Sequence, residues 1–158
     1  MKKLFFATFL FLSSCGFSPL YQSISAENGN IPVRVEPIPD QYGSFMQKII
    51  QNKLGNSTDT SYTLAVSAPT FHTWDQTIDD KNFTTIMGIK GGVHYKLTET
   101  KTKKVILDNS TSLSSSYSVV KDPYATTVAE RKVKKELAEQ LAEQVSLHVL
   151  AALAGVHQ

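Results

Sequence analysis

Among its 158 residues the sequence holds one cysteine, Cys15, and one tryptophan, Trp74. A lone thiol cannot close an internal disulfide, so a disulfide-stapled scaffold is excluded. Long hydrophobic runs are also missing. The greasiest stretch, residues 4–12, is apolar apart from Thr8 and is about half the ~20 residues that a membrane-spanning helix needs. There is no excess of charge of one sign. The chain has 16 Lys and Arg against 14 Asp and Glu, and residues 1–14 contribute Lys2 and Lys3 but no acid, leaving 14 of each sign beyond them. Nucleic-acid-binding domains are usually clearly basic, so no nucleic acid is expected as partner. Catalytic signatures are absent as well. No G-x-S-x-G or spaced His/Asp pair serves the many serines, and no phosphate loop or dinucleotide fingerprint occurs. His72, Asp75, Asp79 and Asp80 are close in sequence but straddle a strand end and a turn, whereas metal ligation needs fixed geometry; they read as solvated turn residues. His94 falls on a polar parity and reads as a surface histidine rather than a base. The expectation is a protein that is not an enzyme and carries neither cofactor nor metal.

What is present starts at the N-terminus. A basic pair, a short apolar run and small residues at Ser13 and Ser14 lay out a secretory signal peptide. The segment Leu12-Ser13-Ser14-Cys15 resembles the bacterial lipobox. That resemblance implies cleavage before Cys15, a diacylglyceryl thioether on its sulfur and an acyl chain such as palmitate on the new amine. One chain anchors a protein marginally and several anchor it stably. Gly16 stands where an aspartate would favour inner-membrane retention, so the resemblance points to the outer membrane, with the protein facing the periplasm. The competing reading is an ordinary signal peptide with a free cysteine near its cleavage site. The chain then divides into a signal peptide (1–14), a lipidated tether (15–30) and a single domain (31–158), large enough for one real core.

Inside that domain the apolar residues keep clear periods. Ile31, Val33 and Val35 alternate with Pro32, Arg34 and Glu36, giving a short half-buried strand placed at a sheet edge or bulge by Pro32. Asp40 caps and Gly55 stops a helix whose stripe is Tyr42, Phe45, Met46, Ile49, Ile50 and Leu54. After a turn at 56–61, Tyr62, Leu64 and Val66 alternate until Pro69, where Phe71 restarts the pattern in the opposite phase, a sign of a bulge. This strand can continue past Trp74, and a polar turn is expected over 75–82. Phe83, Met87, Ile89, Val93, Tyr95 and Leu97 share one parity of a further strand, weakened or kinked in the middle by Gly88, Gly91 and Gly92. A hairpin turn over 100–104 returns the chain. Val105, Leu107, Leu113, Tyr117 and Val119 then share one parity and Asp108, Ser110, Ser112, Ser114, Ser116 and Ser118 the other, so the two strands pair antiparallel with their apolar faces together. Asp122-Pro123 opens a long helix that ends near Leu153 or Ala154, with Gly155 beyond it. Val128, Val133, Leu137, Leu141, Val145, Val149 and Leu153 form its apolar face, and Leu137 and Leu141 are expected in the core. The charged residues among 131–143 read as a solvated face. The fold class is α+β: a two-layer sandwich with two helices on one face of a four-stranded mixed sheet, in the order β-α-β-β-β-α.

The segment Cys15-Gly16-Phe17-Ser18-Pro19-Leu20-Tyr21 resembles the opening C-G-F-x-P-L-Y of LptE-type lipopolysaccharide-assembly lipoproteins. Residues 122–130, Asp122-Pro123-Tyr124-Ala125-Thr126-Thr127-Val128-Ala129-Glu130, are similar to that family's entry to its last helix. The resemblance covers both ends of the chain, and the strand–helix order fits between them. It implies a small α/β sandwich that plugs the large outer-membrane barrel LptD, aids its assembly and helps deliver lipopolysaccharide to the cell surface. Partners would then be an LptD-type barrel, lipopolysaccharide, and the outer membrane through acyl chains on Cys15. Basic residues carry lipopolysaccharide contact in the family. The candidates here are Lys90 and Lys96, on the parity that the helices leave free, and Arg131 and Lys132 on the last helix, with Lys134 and Lys135 beside them. The alternative is a generic outer-membrane lipoprotein that binds a periplasmic ligand or envelope scaffold.

Overall fold

The computed structural model describes residues 31–55, 60–78 and 84–156. The signal-peptide and tether segments, with Cys15 and the C-G-F-x-P-L-Y motif, lie outside the described residues, as do Asp79 and Asp80.

The first strand, β1 (Val33–Val35), buries Val33 and Val35 and exposes Arg34 between them. Among the described residues it pairs only with β2 (Tyr62–Val66), in parallel, so Pro32 sits at an edge as its missing N–H requires. Between them runs α1 (Gln41–Leu54), with Asp40 as its N-cap accepting from Gln41 N at 2.5 Å and Gly55 after it. Gly43 is required inside this helix, because a Cβ there would fall 2.7 Å from Ile38 Cγ2. The chain continues through β3 (Thr70–Ile78), β4 (Thr84–Glu99) and β5 (Val105–Ser118) to α2 (Pro123–Val156).

The architecture is two helices and a mixed sheet, an α+β two-layer arrangement as expected, with five strands rather than four. The difference lies at Pro69. Val66 pairs with Tyr95 and Thr70 with Gly92, so Ser67, Ala68 and Pro69 span the two β4 residues Val93 and His94. One extra residue is a bulge, and it reverses which parity faces the core. β2 and β3 therefore lie end to end along one side of β4, and β5 runs along the other. Ser67 repairs the ladder at the break: its N–H donates to His94 O at 2.9 Å and its Oγ accepts from His94 N at 3.0 Å.

Other expectations shift in register. Residues 75–78 belong to β3 rather than to a turn, pairing with β4 through two register slips. The central glycines do not kink β4, which is continuous from Thr84 to Glu99. They make room instead. A Cβ on Gly88 would fall 2.2 Å from the Trp74 ring, and one on Gly91 would crowd Phe71 at 3.1 Å and Leu141 at 3.3 Å. On β5, Leu97 pairs with Leu107 but Thr98 with Val105, leaving Ile106 as the extra residue. Ile106 packs on the core, and Val105, expected on the apolar parity, is exposed. Val128, expected on the buried stripe of α2, is exposed too, because that stripe becomes buried only from Val133 onward.

The core fills the space between the sheet and both helices. Met46, Ile50 and Leu54 of α1 and Leu141, Val145, Val149 and Leu153 of α2 meet Val33, Val35, Leu64, Val93, Tyr95 and Leu97. Leu137 joins Ile89, Tyr117 and Val133 in an adjoining cluster. Lys53 and Glu143, 2.9 Å apart, link the helices at the surface, where such a pair contributes about 0–1 kcal/mol. Among the described residues no helix is long and apolar enough to cross a membrane.

Candidate functional site

Because both helices cover one parity of the sheet, the other parity forms an open face. Along β4 this face reads Gly88, Lys90, Gly92, His94 and Lys96. Opposite them on β5 stand Ser116, Ser114, Ser112, Ser110 and Asp108. On the other flank β3 places Trp74 opposite Gly88, His72 opposite Lys90 and Thr70 opposite Gly92. The alternation visible in the sequence produces this face directly, since successive strand residues point to opposite sides.

Two features organise it. The first is a shallow open groove of about 380 Å³ over the β2–β3 break, lined by Ser67, Thr70, Gly92, His94, Ser110 and Ser112 among others. It exists because the bulge spreads the strands and glycine and serine leave space above them. The second is a charged cluster beside it. Asp108 Oδ1 lies 2.7 Å from His94 Nε2, and Oδ2 lies 3.0 Å from Lys96 Nζ. The Lys96 ammonium, ahead of the His94 ring, holds the Asp108 carboxyl below the usual carboxylate range. Pattern reading assigned Lys96, His94 and Asp108 to polar parities but did not bring them together, because the Ile106 bulge sets the register that does so.

The four candidate cations fall on two sides of the molecule. Lys90 is exposed on the open face, opposite Ser114, and makes no ion pair among the described residues. Lys96 is on the same face but already held by Asp108. Arg131 and Lys132 are exposed on the helix layer, where Lys132 lies 3.8 Å from Glu136. Their neighbours serve packing: Lys134 Nζ is 5.9 Å from the Phe71 ring centroid and Lys135 Nζ 5.0 Å from that of Phe45, capping apolar rings with lysine stems. Among the described residues no group of three or more His, Cys, Asp or Glu is placed to hold a metal ion.

Beneath the face, Tyr95 is fully buried and its hydroxyl bonds to Nδ1 of His148 on α2. Burial raises the pKa of that phenol. The contact joins β4 to α2 and adds nothing to the open face.

No protein-family profile matches the chain. An uncharacterized protein of Rickettsia prowazekii (strain Madrid E) is 26% identical over 135 residues, 85% of each chain. Solved structures of bacterial lipoproteins share the fold. Rare lipoprotein B of Shewanella oneidensis superposes with a TM-score of 0.66 at 8% identity, over 80% of this chain and 98% of its own. A minor lipoprotein of Acinetobacter baumannii gives 0.59 at 16% identity, over 75% and 90%. An uncharacterized lipoprotein B of Nitrosomonas europaea gives 0.59 at 12%, over 75% and 81%. The chain has the fold of these bacterial lipoproteins. At such identities the likeness is one of fold, and it covers most of each chain on both sides.

Proposed function

We propose that this chain is a lipid-anchored outer-membrane lipoprotein of the LptE type, which plugs and helps assemble an LptD-type barrel and assists delivery of lipopolysaccharide to the cell surface. The observation that carries the reading is the conjunction of a lipoprotein fold over residues 31–156 with a lipobox and C-G-F-x-P-L-Y opening immediately before it. The role is binding and assembly rather than catalysis. Acyl chains on Cys15 hold the domain at the periplasmic side of the outer membrane. The open face, floored by glycine and small serines, is the surface that approaches a barrel wall closely. Lys90 is the first choice for a phosphate of lipopolysaccharide, because among the described residues it has no carboxylate to give up; Lys96 must leave Asp108 to do the same. Arg131 and Lys132 form a separate candidate patch.

Two experiments test this reading. A photo-crosslinking residue placed at Ser112 in cells should yield an adduct with a large outer-membrane barrel protein. Adducts with periplasmic proteins alone would favour the scaffold-binding alternative. Separately, a folded Lys90→Glu/Lys96→Glu protein should bind lipopolysaccharide more weakly than wild type, with the larger difference at low salt, since exposed charges are screened beyond ~8 Å at physiological ionic strength. Unchanged binding would move the contact to Arg131 and Lys132.

A further inference from the structure

β5 is an edge strand. It pairs with β4 and, among the described residues, with no other strand. A strand paired on one side turns alternate N–H and C=O groups outward, which is a template for another strand. Asn109 Oδ1 takes the N–H of Ser110 at 2.7 Å; elsewhere the edge offers its backbone.

The other free edges of this sheet are blunted. β1 is three residues long and lies between Pro32 and Pro37. The outer side of β3 is broken by two register slips near its end. β5 has one bulge, at Ile106 near its start, and no such device from Leu107 to Ser118. Its fourteen residues contain no proline, lysine or arginine, and its pairing with β4 is unbroken from Ile86↔Ser118 to Leu97↔Leu107. Its one charged side chain, Asp108, is turned to Lys96 and His94 on β4 and does not guard the edge.

The open face says what kind of strand fits. Lys90 lies opposite Ser114, the smallest polar neighbour it could have on β5. A strand added beyond β5 would lie two strand spacings from β4, about 9–10 Å. The lysine's four-carbon stem and a glutamate side chain together bridge that gap over the serine. A second copy of this chain does not answer Lys90, because its β5 offers serines and a carboxylate already held by Lys96 and His94.

We infer that β5 accepts an added β-strand from a partner protein, an extended segment with a carboxylate on the open-face parity that meets Lys90 across Ser114. Main-chain ladder bonds supply the affinity and the Lys90 contact the selectivity, as in other strand-addition sites. This stands apart from the barrel reading, because it concerns the edge of the sheet and is tested without a barrel.

The probe is a capped nonapeptide, Thr-Val-Thr-Val-Glu-Val-Thr-Val-Thr, added to the mature acylated chain in detergent micelles. Hydrogen exchange of residues 105–118 is read by mass spectrometry. The peptide should slow exchange there and leave α1 unchanged. A version N-methylated at alternate residues on one side should give no protection. Replacing its glutamate by lysine should weaken binding about fivefold, the scale of a partly exposed ion pair. Lys90→Glu should reverse that preference. The inference is overturned by no slowing at millimolar peptide, or by equal slowing from the N-methylated version. Equal binding of the glutamate and lysine peptides would overturn the acidic partner. Protection that rises with protein concentration without peptide would assign the edge to a second copy.

Discussion

Asp108 sits between the Lys96 ammonium and the His94 ring on an otherwise neutral serine row, and its carboxyl is held below the usual carboxylate range by Lys96 first and His94 second. A depressed carboxyl favours the folded state above its unfolded pKa, and that contribution is lost as pH falls through the depressed value. The group is exposed, so the effect belongs in a titration rather than a melting curve. Lys96→Ala should raise the NMR titration midpoint of Asp108 toward its ordinary value of 3.8; an unmoved midpoint would assign the shift elsewhere. Trp74 gives a second residue-scale test. Its indole rests where a side chain on Gly88 would be. Gly88→Ala should displace the ring, shift the emission of this single tryptophan and cost about 1 kcal/mol, the low end for overpacking because the ring is half-exposed. Unchanged emission would contradict that packing. Neither contact was legible in the sequence. Parity placed each residue on its face, but the pairings Lys96↔Asp108 and Trp74↔Gly88 depend on bulges that set register.

At the scale of elements the periodic signals carried furthest. The apolar stripe of α1 and the Leu137–Leu141 stripe of α2 are where the 3.6-residue period put them, and Leu137 and Leu141 are 1% and 0% exposed. Leu141→Ala should therefore lower stability by about 2–5 kcal/mol in denaturant unfolding. A variant that unfolds at the wild-type midpoint would show that the helix does not rest on the sheet through this residue. The phase change at Pro69 announced the bulge, but whether a bulge divides a strand in two is settled by pairing with β4, which the β2 sequence does not contain. The helix end was misplaced for a different reason. Gly155 was expected beyond α2, yet the helix includes it, with open space around the missing side chain and a propensity cost of only about 1 kcal/mol.

At the scale of the whole molecule the two layers divide the labour. The helix layer buries the core and caps its rim with Lys134 and Lys135, while the opposite sheet face keeps its groove, its lysines and its serines free of any covering element among the described residues. Alternation made this division legible in β1, β2, β4 and β5, each mostly apolar on one parity and polar on the other; β3 shows no such split and puts Trp74 on the open face. What the uncovered face meets was not legible from parity, because lysines among small serines suit a barrel wall, a lipid phosphate and an added strand alike. The central claim is that the face and its N-terminal anchor serve a barrel. It is tested most directly by extracting the tagged full-length chain from outer membranes in mild detergent and identifying what remains bound after affinity purification. The account predicts an acylated chain beginning at Cys15, in about equimolar complex with a large outer-membrane β-barrel. A chain with an unmodified Cys15 thiol, or one that purifies without a barrel, would contradict it.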